Sequence, residues 1–196
     1  MRPLQPVLGF LLFLVGIATA ERVVIGYRTA NVNEVKAMKS WWKPGPGTLV
    51  WSPKYTSGKE LGAGVYLSNQ NKGWNVGGSD MRFCQVTADK ELFTRACKVW
   101  FPRVGHDYIS PSCIHDQITA NGCYRPGSAI RLSAIPAFQG VDQMLIPPDM
   151  LNGKNNELNL EVTCTNTNNA AELGGLVGGE TPDINFRSLP NLRGLQ

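Results

Sequence analysis

The stretch Arg22-Val23-Val24-Ile25-Gly26-Tyr27-Arg28 decides how the rest of the chain is read. It is a β-branched and aromatic run that reads as a buried strand. Asn31 and Glu34 follow with the spacing of a capping box, and Val35, Met38, Trp41 and Trp42 recur at intervals of three and four. Val32–Trp42 therefore reads as one amphipathic helix, ended by Lys43-Pro44-Gly45-Pro46-Gly47. Further short strands are expected at Thr48–Trp51, Leu61–Ser68, Phe83–Ala88, Ala96–Pro102, Ser128–Leu132, Gln143–Ile146 and Leu158–Cys164, with turn signals between them. One early helix followed by many short strands argues an α+β domain, a compact split antiparallel β-sheet core with that helix packed on it.

Outward from this core the ends of the chain differ in composition. Arg2 precedes the apolar run Val7–Ile17 and the small-residue site Ala18-Thr19-Ala20, which reads as a secretory signal peptide over residues 1–20. That run is too short for a bilayer span, and no later stretch approaches the roughly 20 apolar residues one needs. The folded domain is expected over residues 21–164. Residues 165–196, rich in Asn and Gly around Gly174-Gly175-Leu176-Val177-Gly178-Gly179, read as a flexible tail.

The 196 residues are 42% hydrophobic and 17% charged, enough apolar material for a core and too little charge for a disordered chain. The formal charge of +4 is scattered without a run of like charges, so nucleic acid is not an expected partner. The five cysteines, Cys84, Cys97, Cys113, Cys123 and Cys164, fit a secreted, extracellular protein with two disulfides and one free thiol. The turn-rich stretch between Cys113 and Cys123 makes them the first candidate pair, although five cysteines allow fifteen ways to make two bonds. No C-x-x-C motif supports zinc or thioredoxin-type chemistry, and no metal is expected.

Conventional catalytic sets are few. His106 and His115 are the two histidines, and a pair of imidazoles would suit a small secreted ribonuclease as general base and acid. There is no G-x-S-x-G elbow and no Walker A loop. Two strand motifs remain: Gly26-Tyr27-Arg28-Thr29, and Gly62-Ala63-Gly64-Val65-Tyr66-Leu67-Ser68-Asn69, in which glycines precede a strand tyrosine.

In this order, with Asp142-Gln143-Met144-Leu145-Ile146 as a third element, these motifs resemble those of the ADP-ribosyltransferase superfamily, in its branch of diphtheria-type toxins and poly(ADP-ribose) polymerases. The resemblance runs from about Val23 to Cys164. It implies NAD as substrate, cleavage of the nicotinamide–ribose bond, and a toxin or effector role with a host protein as acceptor, or else hydrolysis. Arg28 stands where that branch has a histidine, as in the cholera-type branch, and Gln143 stands where the family places its glutamate. By the resemblance, Tyr66 stacks on nicotinamide, Arg28 anchors ribose or phosphate, and Gln143 hydrogen-bonds a ribose hydroxyl. Gly26, Tyr27, Thr29 and Trp74 complete the expected NAD-binding set, with Trp74 as a second pocket wall. Gln143 brings neither charge nor basicity, so an inactive secreted binding module of the same fold is the alternative. The protein is expected to be a monomer.

Overall fold

A computed structural model describes residues 20–38, 46–55, 60–73, 78–102, 110–135, 138–151 and 157–195. Among these residues are eight strands: β1 (Arg22–Asn31), β2 (Val65–Ser68), β3 (Met81–Asp89), β4 (Lys98–Trp100), β5 (Ile130–Ala134), β6 (Asp142–Ile146), β7 (Glu161–Cys164) and β8 (Leu192–Arg193). Four helices accompany them: α1 (Val32–Ala37), α2 (Lys90–Arg95), α3 (Pro111–Ala120) and α4 (Glu172–Val177). The expected α+β class is met. In place of a split core there is one eight-stranded sheet in the order β7-β3-β1-β2-β6-β5-β4-β8. Pairing is antiparallel except where β4 runs parallel to β5 and to β8.

The joint between β1 and β2 is the narrowest in the sheet, a single register pair, Tyr27 opposite Ser68. Gly26 permits that approach, since a Cβ there would come within 2.8 Å of the Leu67 Cβ. Gly64 does the same where β2 begins. It sits at φ +152°, and a side chain would strike the Ile146 carbonyl oxygen at 2.4 Å. Positive φ at Gly62 and Gly64 keeps the strand from starting before Val65, four residues later than its apolar run suggests.

Side chains directly opposite one another share a face. The register therefore lines up Thr163, Gln85, Tyr27, Ser68, Gln143 and Ser133 as one polar row across six strands. The opposite face carries the main core, with Ile25, Leu67, Val86, Ile130, Leu132, Met144 and Ile146 buried. On the row's own face, α3 lays Ile114 and Ile118 against Tyr66, Val99, Phe101 and Leu145. A second cluster on Tyr27 and Phe83 is closed by Leu173 of α4.

Several expectations are corrected. Asn31 does cap α1, accepting from the Glu34 N–H, but α1 ends at Ala37, and residues 39–42, with Trp41 and Trp42, lie outside the described residues. Thr48–Trp51 forms no strand; the preceding Gly47 makes an isolated bridge to Val162, and Leu49 is drawn into the core. The stretch expected to be rich in turns, ahead of Cys123, is helix α3, whose apolar stripe is only two residues wide. Ser110 caps it and Pro111 starts it, and the helix turns Cys113 outward beside buried Ile114. The bridge Cys113–Cys123 is thus replaced by Cys97–Cys123, and Cys84–Cys164 joins opposed positions of β3 and β7.

The flexible tail is replaced by folded chain. Residues 165–195 contribute α4 and β8, and Leu173 and Phe186 are fully buried. Arg187 forms an ion pair with Asp142 at 3.1 Å and lies over the Trp100 ring. The Ile184 N–H donates to the Asn69 carbonyl. Burial of two or three separated apolar side chains, rather than any local periodicity, fixes this segment. The signal-peptide reading falls on residues 1–20, of which only Ala20 is described. Among the described residues no helix is long and apolar enough to cross a membrane.

Candidate functional site

Arg28, Tyr66 and Gln143 come from the adjacent strands β1, β2 and β6, but they do not converge on one space. Strand alternation puts Arg28 on the face opposite Tyr27, Ser68 and Gln143. There its Nε donates to Glu34 Oε1 at 2.7 Å, one terminal nitrogen donates to the Tyr66 carbonyl at 2.8 Å, and the other donates to the Tyr55 carbonyl at 3.0 Å. The ion pair is largely buried. Burial pushes the Glu34 carboxyl above its ordinary range, against the opposing pull of Arg28. Arg28 thereby ties β1, α1, the segment at Tyr55 and the β2 backbone together.

Tyr66 is on the polar row's face, yet its ring is enclosed by the α3 cluster. Its hydroxyl accepts from the Leu61 N–H at 2.9 Å and donates to the Gly62 carbonyl at 3.0 Å. Burial is the largest cause of a strongly raised phenol pKa, with the nearby Glu60 charge adding to it and Arg131 opposing it. Gly26 packs on β2, and Tyr27 is buried with its hydroxyl donating to the Pro182 carbonyl at 2.8 Å. Thr29 is half-buried opposite Phe83. Trp74 and His106 lie outside the described residues, and His115 is an exposed side chain on α3.

Gln143 has the most distinctive surroundings. The side chain is 1% exposed. Its amide nitrogen donates to Glu60 Oε2 at 2.7 Å and to Ser133 Oγ at 2.9 Å, while Oε1 is buried without a hydrogen-bond partner. Arg131, on the neighbouring row of the same face, donates to the Leu61 carbonyl at 2.7 Å and the Pro126 carbonyl at 3.3 Å, and its Nε is likewise buried without a partner. Burial lowers the Arg131 pKa, with the Tyr66 interaction opposing. Ser68, Gln143, Ser133, Arg131 and the half-buried Glu60 thus form a polar cluster holding an open acceptor and an open donor. Such groups cost about 1–3 kcal/mol each when left unpaired, and they are paired in most buried sites.

Glu60 and Arg131 were absent from the residues singled out in the sequence. Glu60 is a loop carboxylate with no motif of its own, and its one signal is that it stands directly before the turn Leu61-Gly62-Ala63-Gly64. Arg131 lies in an expected strand with nothing to separate it from a surface cation. Among the described residues no group of three or more His, Cys, Asp or Glu could hold a metal ion.

The chain belongs to the DUF5910 family, described as a family of unknown function, whose model matches residues 59–188. That span contains Glu60, Tyr66, Arg131, Ser133 and Gln143 and begins after β1. No curated protein and no solved structure matches the chain.

Proposed function

We propose that this is a secreted, NAD-binding protein of ADP-ribosyltransferase-like type that cleaves the nicotinamide–ribose bond, passing ADP-ribose to a host-protein acceptor or to water. The observation that carries the reading is Gln143 Oε1, a fully buried acceptor with no partner, on the strand the motif resemblance singles out. A ribose hydroxyl donating to it would supply the missing bond. The adjacency of β1, β2 and β6 supports the same reading, since all three motif-bearing strands are neighbours in the sheet. Two disulfides are in keeping with secretion. In this reading Arg28 and Tyr66 support the site through the β2 backbone rather than by touching the dinucleotide.

An inactive secreted binding module is the second reading, favoured by the internal partners of Arg28 and Tyr66 and by the neutral amide at position 143. Calorimetry with NAD and a nicotinamide-release assay separate the two. Binding with release supports cleavage; binding without release, in the wild type and in Gln143→Glu, supports the binding module. Absence of NAD binding in both proteins overturns the proposal.

A further inference from the structure

We infer that Glu60 supplies the carboxylate that position 143 lacks, with Gln143 holding it in place; this rests on the NAD-cleaving reading above. The Gln143 amide is wedged between two acceptors, Ser133 Oγ and Glu60 Oε2, so its plane is fixed from the β5 side and its N–H points at the carboxylate. Glu60 is half-buried and the Gln143 carbonyl beside it has no partner, so the carboxylate and an open acceptor share one spot. Among the carboxylates near this part of the sheet, Asp142 is on the opposite face and paired with Arg187, Glu34 is committed to Arg28, and Glu161 is paired with Arg22. Glu157 accepts from Ser128 Oγ. Glu60 is the acid that accepts from the Gln143 amide itself.

The chemistry follows from charge. As the C1′–N1 bond of the nicotinamide riboside breaks, its electron pair returns to the pyridinium ring, nicotinamide leaves neutral, and positive charge develops at C1′ and the ring oxygen. A carboxylate adjacent to that centre stabilises the cation and takes the proton of the incoming water or acceptor hydroxyl as the new C1′–O bond forms. For water the products are ADP-ribose, nicotinamide and one proton. Gln143 Oε1 receives a ribose hydroxyl, and its Nε2 aims Glu60. The function that other members of the resembled superfamily place on one glutamate is here divided between a strand amide and a loop acid.

The test exchanges the carboxylate. Glu60→Gln is isosteric and keeps an acceptor for the Gln143 amide, so a folding loss is not expected; near-ultraviolet circular dichroism checks this. Nicotinamide release from NAD should fall roughly 10²–10³-fold in kcat with KM within about threefold. The double variant Glu60→Gln/Gln143→Glu, which returns the carboxylate to β6, should recover at least tenfold of that loss. If the wild type releases nicotinamide and Glu60→Gln retains kcat within threefold, the inference about Glu60 is overturned and the NAD reading stands. If neither the wild type nor Gln143→Glu binds or cleaves NAD, both fall together. Binding without release leaves the module reading and overturns the role of Glu60.

Discussion

Arg28 and Gln143 are polar side chains largely removed from solvent, set on strands flanking β2, and the same resemblance singles out both. They differ in how completely the fold answers them. Each nitrogen of the Arg28 guanidinium has a partner within 3.0 Å, one of them a buried carboxylate. Gln143 has its amide nitrogen paired twice and its carbonyl not at all. A fully answered polar group serves the fold, because breaking it leaves the partner stranded. A group answered on one side has capacity left for something that is not the protein, which is what a binding site requires.

The contrast breaks first at Arg28. Arg28→Ala strands Glu34, which is 3% exposed, and frees two carbonyls. The expected loss is about 3–5 kcal/mol in urea denaturation. Arg28→Met combined with Glu34→Met should recover most of it, since an apolar pair of similar volume carries no stranded charge. A loss below about 1 kcal/mol for Arg28→Ala would put Arg28 in the ligand-binding class instead.

Lys98 shows that being answered does not make a buried charge comfortable. Its side chain is fully buried, its ammonium donates to the Phe93 and Ala96 carbonyls at the end of α2, and it lies over the Phe93 ring. Burial nevertheless pulls its pKa from 10.5 down to about 8. With the folded value below the unfolded one, the unfolded chain binds the extra proton between these limits. Stability therefore rises with pH from about 8 to 10.5, by up to about 3 kcal/mol, and is flat below. Lys98→Met should remove that slope from denaturation curves taken across this range.

A third step concerns Tyr66. Removing its hydroxyl in Tyr66→Phe strands the Leu61 N–H and the Gly62 carbonyl, for an expected loss of about 1–2 kcal/mol. NAD affinity should stay within about threefold, because the enclosed ring already belongs to the α3 cluster. A tenfold loss of affinity with unchanged stability would return Tyr66 to the site.

The fold was legible in the sequence wherever a local rule acts alone. β1, β3 and β6 appear within two or three residues of their expected bounds, and Asn31 caps α1 as its spacing implies. It was illegible where partners come from far away. α3 shows only Ile114 and Ile118 to the core, too few for a periodic signal, and Cys123 pairs with Cys97 across 26 residues rather than with the nearer Cys113. The Asn- and Gly-rich end looks unstructured because its anchors are single residues, Leu173, Phe186 and Arg187, each meeting a different part of the domain. The candidate site divides the same way. Gln143 was found because it sits at a strand position that a motif marks, whereas Glu60 has meaning only once β2 and β6 are paired and the loop before β2 is folded back on them.

The smallest expected effect on stability is the sharpest test of the comparison. Gln143→Met keeps the volume of the side chain and deletes both its answered nitrogen and its unanswered oxygen. Two hydrogen bonds are lost, but the acceptors they served are a serine hydroxyl and a half-buried carboxylate that water can reach from the Glu60 side. The buried oxygen that had no partner is removed at the same time, which offsets part of that cost. Stability should therefore change by less than about 1 kcal/mol, several times less than for Arg28→Ala, although Gln143 is the more buried of the two. NAD binding should fall about tenfold or more, since a thioether cannot accept from a ribose hydroxyl as a carbonyl does. Thermal denaturation and calorimetry on the same protein read both quantities. A loss of stability as large as that of Arg28→Ala, with NAD affinity intact, would mean that Gln143 serves the fold after all and that its empty acceptor has no ligand to wait for.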